Sequence, residues 1–93
     1  MRTIKRTTQF KRDYKREKAG RHWSILDDSL LAVVKLLVAD IPLPERNRDH
    51  PLTGDWKDHR DCHVKPDLVL IYRKPDDEVL QLVRLGSHSE LGL

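Results

Sequence analysis

The stretch from Asp58 to Asp67, DHRDCHVKPD, places two imidazoles and three carboxylates within ten residues of a 93-residue chain that has five histidines. Histidine titrates near pH ~6.5 when unperturbed, so one imidazole accepts a proton while another donates one close to neutrality. A neighbouring carboxylate orients the ring and favours its charged form. Metal-free scission of an RNA strand needs this equipment. A base takes the proton of the 2′-hydroxyl, an acid protonates the departing 5′-oxygen, and a cation stabilises charge gathering on the phosphate. The competing chemistry for several histidines and a carboxylate is a metal site. The spacings that usually signal one, H-E-x-x-H on a helix or paired C-x-x-C, are absent, so no metal and no cofactor is expected.

Whether these groups meet depends on the elements that carry them. Side chains alternate across a strand, so in HRDCHV the residues Asp61 and His63 share a face, while Cys62 and Val64 take the other. Cys62 and Val64 are the natural core-facing pair, which sends Asp61 and His63 to an open face and makes Cys62 a weak nucleophile. Asp67 starts the neighbouring strand across a tight turn. His50 lies in the loop leading into these strands, and His88 lies just past the last one, where a short tail could fold back. The sequence therefore permits His50, Asp61, His63, Asp67 and His88 to converge. His22 and His59 read as surface or structural residues.

The remaining elements follow from periodicity and punctuation. RTIKRTT reads as an edge strand, and TTQFKRDYKREKAG as a helix capped by Thr7 or Thr8, with Phe10 and Tyr14 at i,i+4 and Gly20 as its stop. In SILDDSLLAVVKLLVAD, Ser24 is the expected N-cap, and Leu26, Leu30, Val33, Val34, Leu37 and Val38 form an apolar stripe that Leu31 and Leu36 widen. Residues 41–59 carry three prolines and a glycine and read as a long loop. HRDCHV, DLVLIYRK and EVLQLVRLG then read as strands joined by turns at Lys65-Pro66-Asp67 and Pro75-Asp76-Asp77. Strand, helix, helix, loop and three strands predict one α+β domain over residues 1–93, with helices on one face of a mostly antiparallel sheet and the other face partly open.

Composition bounds the function. Residues 1–23 hold nine Lys/Arg against Asp13 and Glu17, a balance of +7, whereas residues 24–93 stand at −4. A basic patch of this kind attracts polyanions or an acidic partner protein, or simply solvates a helix face. The apolar runs are far shorter than the ~20 residues of a membrane span. The N-terminus MRTIKRTTQF lacks the apolar region of a secretory signal, and a lone cysteine fits a reducing compartment, so a cytoplasmic protein is expected.

Two stretches carry a family resemblance. IPLP (Ile41 to Pro44) followed by Asp49 to Tyr72 contains the run H-P-L-x-G-x-W-x-x-x-R-D-x-H-x-x-P-D-x-x-L-x-Y, and RLGSHSEL spans Arg84 to Leu91. Both resemble the YafQ branch of the RelE/ParE toxin superfamily. The resemblance implies a RelE-like fold and a small bacterial toxin that cuts messenger RNA on the translating ribosome and is neutralised by an antitoxin. The positions it implies for chemistry are His50, Asp61, His63, Asp67 and His88. His50 or His63 would be the base and His88 the acid, with Asp61 and Asp67 orienting the imidazoles. Lys11, Arg12, Lys15 and Arg16 would contact ribosomal RNA phosphates, and Arg60 and Arg84 are further phosphate or charge-stabilising candidates. The family commonly has an aromatic residue shortly after the last histidine, where Leu91, Gly92 and Leu93 stand here. The rival functions are a ParE-like toxin that binds DNA gyrase without chemistry, and an inactive antitoxin-binding module.

Overall fold

The apolar period of the second helix decides where the core sits. In the computed structural model, which describes residues 1–21 and 23–93, α2 runs Leu26–Val38 and buries Leu26, Leu30, Val33, Val34, Leu37 and Val38. Leu36 is only half-buried and Leu31 is exposed, so the stripe is narrower than the sequence suggests. Ser24 does not cap this helix: the N-cap position falls on Ile25, and the first helical hydrogen bond joins Ser29 N to Ile25 O. The reason lies in the turn before it. Trp23 N is bonded to Gly20 O, and Asp27 in the first turn is taken up by Lys18 Nζ at 2.6 Å and by the Tyr14 hydroxyl. His22 lies outside the described residues.

The first strand, β1, is Thr3–Arg6, and α1 follows at Thr8–Lys18. Thr7 caps α1, its hydroxyl oxygen accepting from Phe10 N at 3.0 Å while donating to Val83 O at 2.7 Å. Phe10 is buried, and its ring stacks with Tyr14 at 6.4 Å. The later strands are β2 (His50–Pro51), β3 (Arg60–Lys65), β4 (Leu68–Arg73) and β5 (Val79–Gly86), with a short helix α3 at His88–Leu91. The sheet order is β1-β5-β4-β3-β2. Only β1 runs parallel to its neighbour, β5. This is an α+β fold with the N-terminal strand and two helices against a mostly antiparallel sheet.

Two differences from expectation matter for the site. Residues 41–59 are not a featureless loop. They contain 3-10 turns at Glu45–Asn47 and Gly54–Trp56, and the paired strand β2. The second face of the sheet is also less open than its sequence suggests. β4 is buried on both sides: Leu68, Leu70 and Tyr72 join the α1/α2 core, while Val69 and Ile71 form a second cluster with Val83 and Leu91. Leu52 and Trp56 pack against that second cluster. A strand apolar on both faces needs two covers, and here the second is the C-terminal turn of helix together with the folded loop.

Candidate active site

The two-residue strand β2 sets the register that matters: His50 pairs with Asp61 and Pro51 with Arg60. Polar side chains staple the loop that delivers it. Buried Asn47 donates from Nδ2 to His63 O at 2.7 Å. Asp49 accepts from Tyr72 Oη at 2.5 Å and from Arg60 Nε at 3.2 Å. Arg48 takes a left-handed conformation (φ 47°), which turns its carbonyl to within 2.7 Å of His50 Nδ1. A carbonyl only accepts, so Nδ1 carries the ring proton and Nε2 faces the carboxylate.

Asp61 lies on the predicted face but is not solvent-exposed there, at 2 % exposure. The second cluster, α3 and the folded loop crowd it. His50 Nε2 stands 3.1 Å from its Oδ1. The two are poorly aligned, and Oδ1 has no hydrogen-bond partner among the described residues. Burial raises the Asp61 pKa, and Asp49 pushes the same way, while the imidazoles of His50, His63 and His88 pull against it. Burial thus favours the neutral form of this acid, and three imidazoles stand close enough to act on it.

His63 and His88 come from elements far apart in sequence, and their ring centroids are 5.0 Å apart. Ser87 N-caps α3 through a capping box with Glu90, and buried Leu91 seats the helix on the sheet, which fixes His88 at its first turn. Gly92 ends the helix at φ 72°, a left-handed conformation that favours glycine.

The other candidates are placed as follows. Asp67 sits at the β3–β4 turn with its carboxylate 3.3 Å from the exposed Arg21. Arg60 holds Asp49. Arg84 reaches Asp13, its Nε donating at 2.7 Å, and Arg16 also reaches Asp13 at 3.0 Å, so both guanidiniums have internal partners. Lys11, Arg12 and Lys15 are exposed along α1. Cys62 is fully buried, and burial drives its thiol pKa upward, which removes it as a nucleophile. His59 packs edge-on against Trp56 at 5.3 Å. Among the described residues, no group of three or more His, Cys, Asp or Glu side chains is disposed to hold a metal ion.

Sequence reasoning passed over Asn47, Asp49, Tyr72 and Asp13 as site-supporting residues. The first three give no local signal, because their partners lie 11 to 23 residues away. Asp13 did give one: it falls on the same helical stripe as Phe10 and Tyr14.

A family model described as "Bacterial toxin of type II toxin-antitoxin system, YafQ" matches residues 2–92. The chain is 40 % identical over 91 residues to the mRNA interferase toxin YafQ of Escherichia coli K12, covering 97 % of this chain and 95 % of that protein. YafQ in the Escherichia coli DinJ–YafQ complex superposes with a TM-score of 0.79 at 35 % identity, covering 98 % of each chain. A copper-bound mutant toxin from Helicobacter pylori superposes with a TM-score of 0.85 at 40 % identity, over 98 % of this chain and 99 % of that one.

Proposed function

The chain belongs to the YafQ family of type II toxin–antitoxin toxins, and from that premise we propose that it is an endoribonuclease that cleaves messenger RNA on the translating ribosome by metal-independent acid–base catalysis. The observation that carries the reading is the gathering of His50, His63 and His88 around the buried Asp61. A toxin that acts only by binding has no need of such a cluster.

In this reading His50 or His63 removes the proton from a ribose 2′-hydroxyl. The 2′-oxygen then attacks the adjacent phosphorus, the bond to the 5′-oxygen breaks, and protonated His88 delivers a proton to that oxygen. The products are a 2′,3′-cyclic phosphate and a free 5′-hydroxyl. Asp61 orients His50 across the β2–β3 register and favours its protonated form once the 2′-proton has been taken. Asp67, whose carboxylate pairs with Arg21 at the β3–β4 turn, is assigned in this reading to orienting an imidazole or joining the proton transfer. The exposed Lys11, Arg12 and Lys15 grip ribosomal RNA phosphates.

The partners are the ribosome with its messenger and a cognate antitoxin, met in the cytoplasm. The antitoxin's acidic, amphipathic segment seats in the groove between β1, α1 and α2. Ile4, Phe10, Leu30, Leu31 and Leu82 line that groove together with the cations of Arg6 and Lys11. Mapping messenger 5′ ends after incubation with translating ribosomes tests the chemistry. Codon-phased cuts are expected with the wild type. His88→Ala should lower the rate by about 10²–10⁴-fold, the scale of positioned acid catalysis, while retaining antitoxin capture. Full activity in that variant removes His88 from the reaction, and gyrase-dependent DNA breaks with intact messenger replace the reading altogether.

A further inference from the structure

We propose that Asp13 and Arg16, on the first helix, are positioning residues for His88, acting through the α1–β5–α3 junction; the inference rests on reading His88 as the general acid. A four-residue helix has no independent stability, so α3 stands where its contacts hold it. Its capping box fixes the helix start and Leu91 anchors its end, but neither joins it to α1. Arg16 makes that join. Its Nη2 donates to Leu85 O at 2.9 Å and its Nη1 to Asp13 Oδ1 at 3.0 Å. Its Nε lies 3.2 Å from Glu90 Oε2. The other carboxylate oxygen of Glu90 accepts from Ser87 N at 2.9 Å, immediately before His88.

Asp13 locks the near side. It is 3 % exposed and accepts from Arg84 Nε at 2.7 Å, Leu85 N at 3.0 Å and Arg16. The far side depends on Gly86. A Cβ there would lie 2.9 Å from Arg16 Nη2 and 3.3 Å from Glu90 Oε1, so the missing side chain is the space through which the guanidinium crosses the strand end. The chain of contacts therefore runs from Asp13 through Arg16 to Glu90, and from Glu90 to the turn that carries His88. Asp13, Glu17 and Leu85 O accept hydrogen bonds from the Arg16 guanidinium and Glu90 pairs with it as an ion, so the half-exposed group is held on the protein at this junction. The same helix carries the outward Lys11, Arg12 and Lys15, so the basic face and the His88 arm are parts of one braced unit.

The experiment compares full-length wild type, Arg16→Met, Arg16→Lys and Asp13→Asn. Amide exchange at Glu90 and Leu91 is read against exchange at Leu70 in β4, beside kcat and KM for messenger cleavage on ribosomes. Since a displacement of ~1 Å costs up to ~10²-fold in rate, Arg16→Met is expected to lower kcat about tenfold or more with KM nearly unchanged. Exchange in α3 should rise in the same variant while β4 holds, and Arg16→Lys should recover part of both effects. Asp13→Asn should behave like Arg16→Met in α3. Three results each overturn the proposal: unchanged α3 exchange and kcat, an acceleration shared equally by β4, or a raised KM at constant kcat. If wild type leaves messenger intact, the nuclease reading fails, and the exchange comparison still decides whether the brace exists.

Discussion

Asp13 and Asp61 are both almost fully buried carboxylates, at 3 % and 2 % exposure, and their surroundings are opposite. Asp13, at the α1–β5 junction, is met by two guanidiniums and a main-chain N–H. Burial alone would raise its pKa, but hydrogen bonds from Arg84 and Leu85 N and the charges of Arg84 and Arg16 outweigh it, and the pKa falls below the usual carboxylate range. Among the described residues, Asp61, at the β2–β3 corner, has an oxygen without a hydrogen-bond donor, and burial outweighs the pull of the His50, His63 and His88 imidazoles, so its pKa rises. A fully satisfied acid holds structure together. An incompletely satisfied one keeps an appetite for protons, which costs stability and suits a site that moves them.

Removing each acid is the strongest way to break this contrast. Asp13→Ala leaves Arg84, Arg16 and Leu85 N without their shared acceptor and is expected to destabilise by about 3–5 kcal/mol in urea unfolding. Asp61→Asn should change stability by no more than about 1 kcal/mol in either direction, because the carboxyl group it replaces is poorly paired, yet it should slow messenger cleavage. Equal losses of stability in the two variants would erase the distinction.

Acid titration sharpens it, because the signs differ. The folded pKa of Asp13 is lowered, so its contribution is present above the unfolded value of about 3.9 and is lost as pH falls through the folded pKa. The folded pKa of Asp61 is raised, so its contribution is present below about 3.9 and is lost as pH rises through the folded pKa. The stability difference between wild type and Asp13→Asn should therefore stay flat from neutrality to about pH 4 and shrink below that. The difference between wild type and Asp61→Asn should shift in favour of wild type on acidification from pH ~7 to ~4. His50, His63, His88 and Asp49 face Asp61, so this second curve belongs to the group of them.

A modest effect is expected in the loop staple. Tyr72→Phe removes the hydrogen bond to Asp49 and should cost about 0.5–1.5 kcal/mol. It should also loosen His50, read as faster amide exchange in β2, while α3 is unaffected. A change confined to α3 would show that the two sides of the site are not held separately.

Much of this was legible in the residues. The central stripe of α2, the choice of Thr7 or Thr8 as a cap, the Phe10–Tyr14 pair and the alternation in β3 are local patterns, and the fold keeps them, with Thr7 taking the cap. The residues quoted for the family likeness also lie inside the matched span. Ser24 misled because a good capping residue yields when the preceding turn closes elsewhere and the first-turn Asp27 is engaged by Tyr14 and Lys18. The burial of Asp61 was not legible, since it depends on the loop and α3 covering a face that alternation can only name.

The sequence by itself determined the elements, the charge asymmetry and the types of side chain available for chemistry, because period, capping and composition are short-range properties of a chain. Tertiary structure alone decided that β2 pairs His50 with Asp61, that α3 brings the His88 ring within 5.0 Å of the His63 ring, and that one buried aspartate is satisfied while the other is not. Those outcomes turn on which groups share a desolvated space, and the energy of a carboxylate is set by the donors that reach it there, not by its neighbours along the chain.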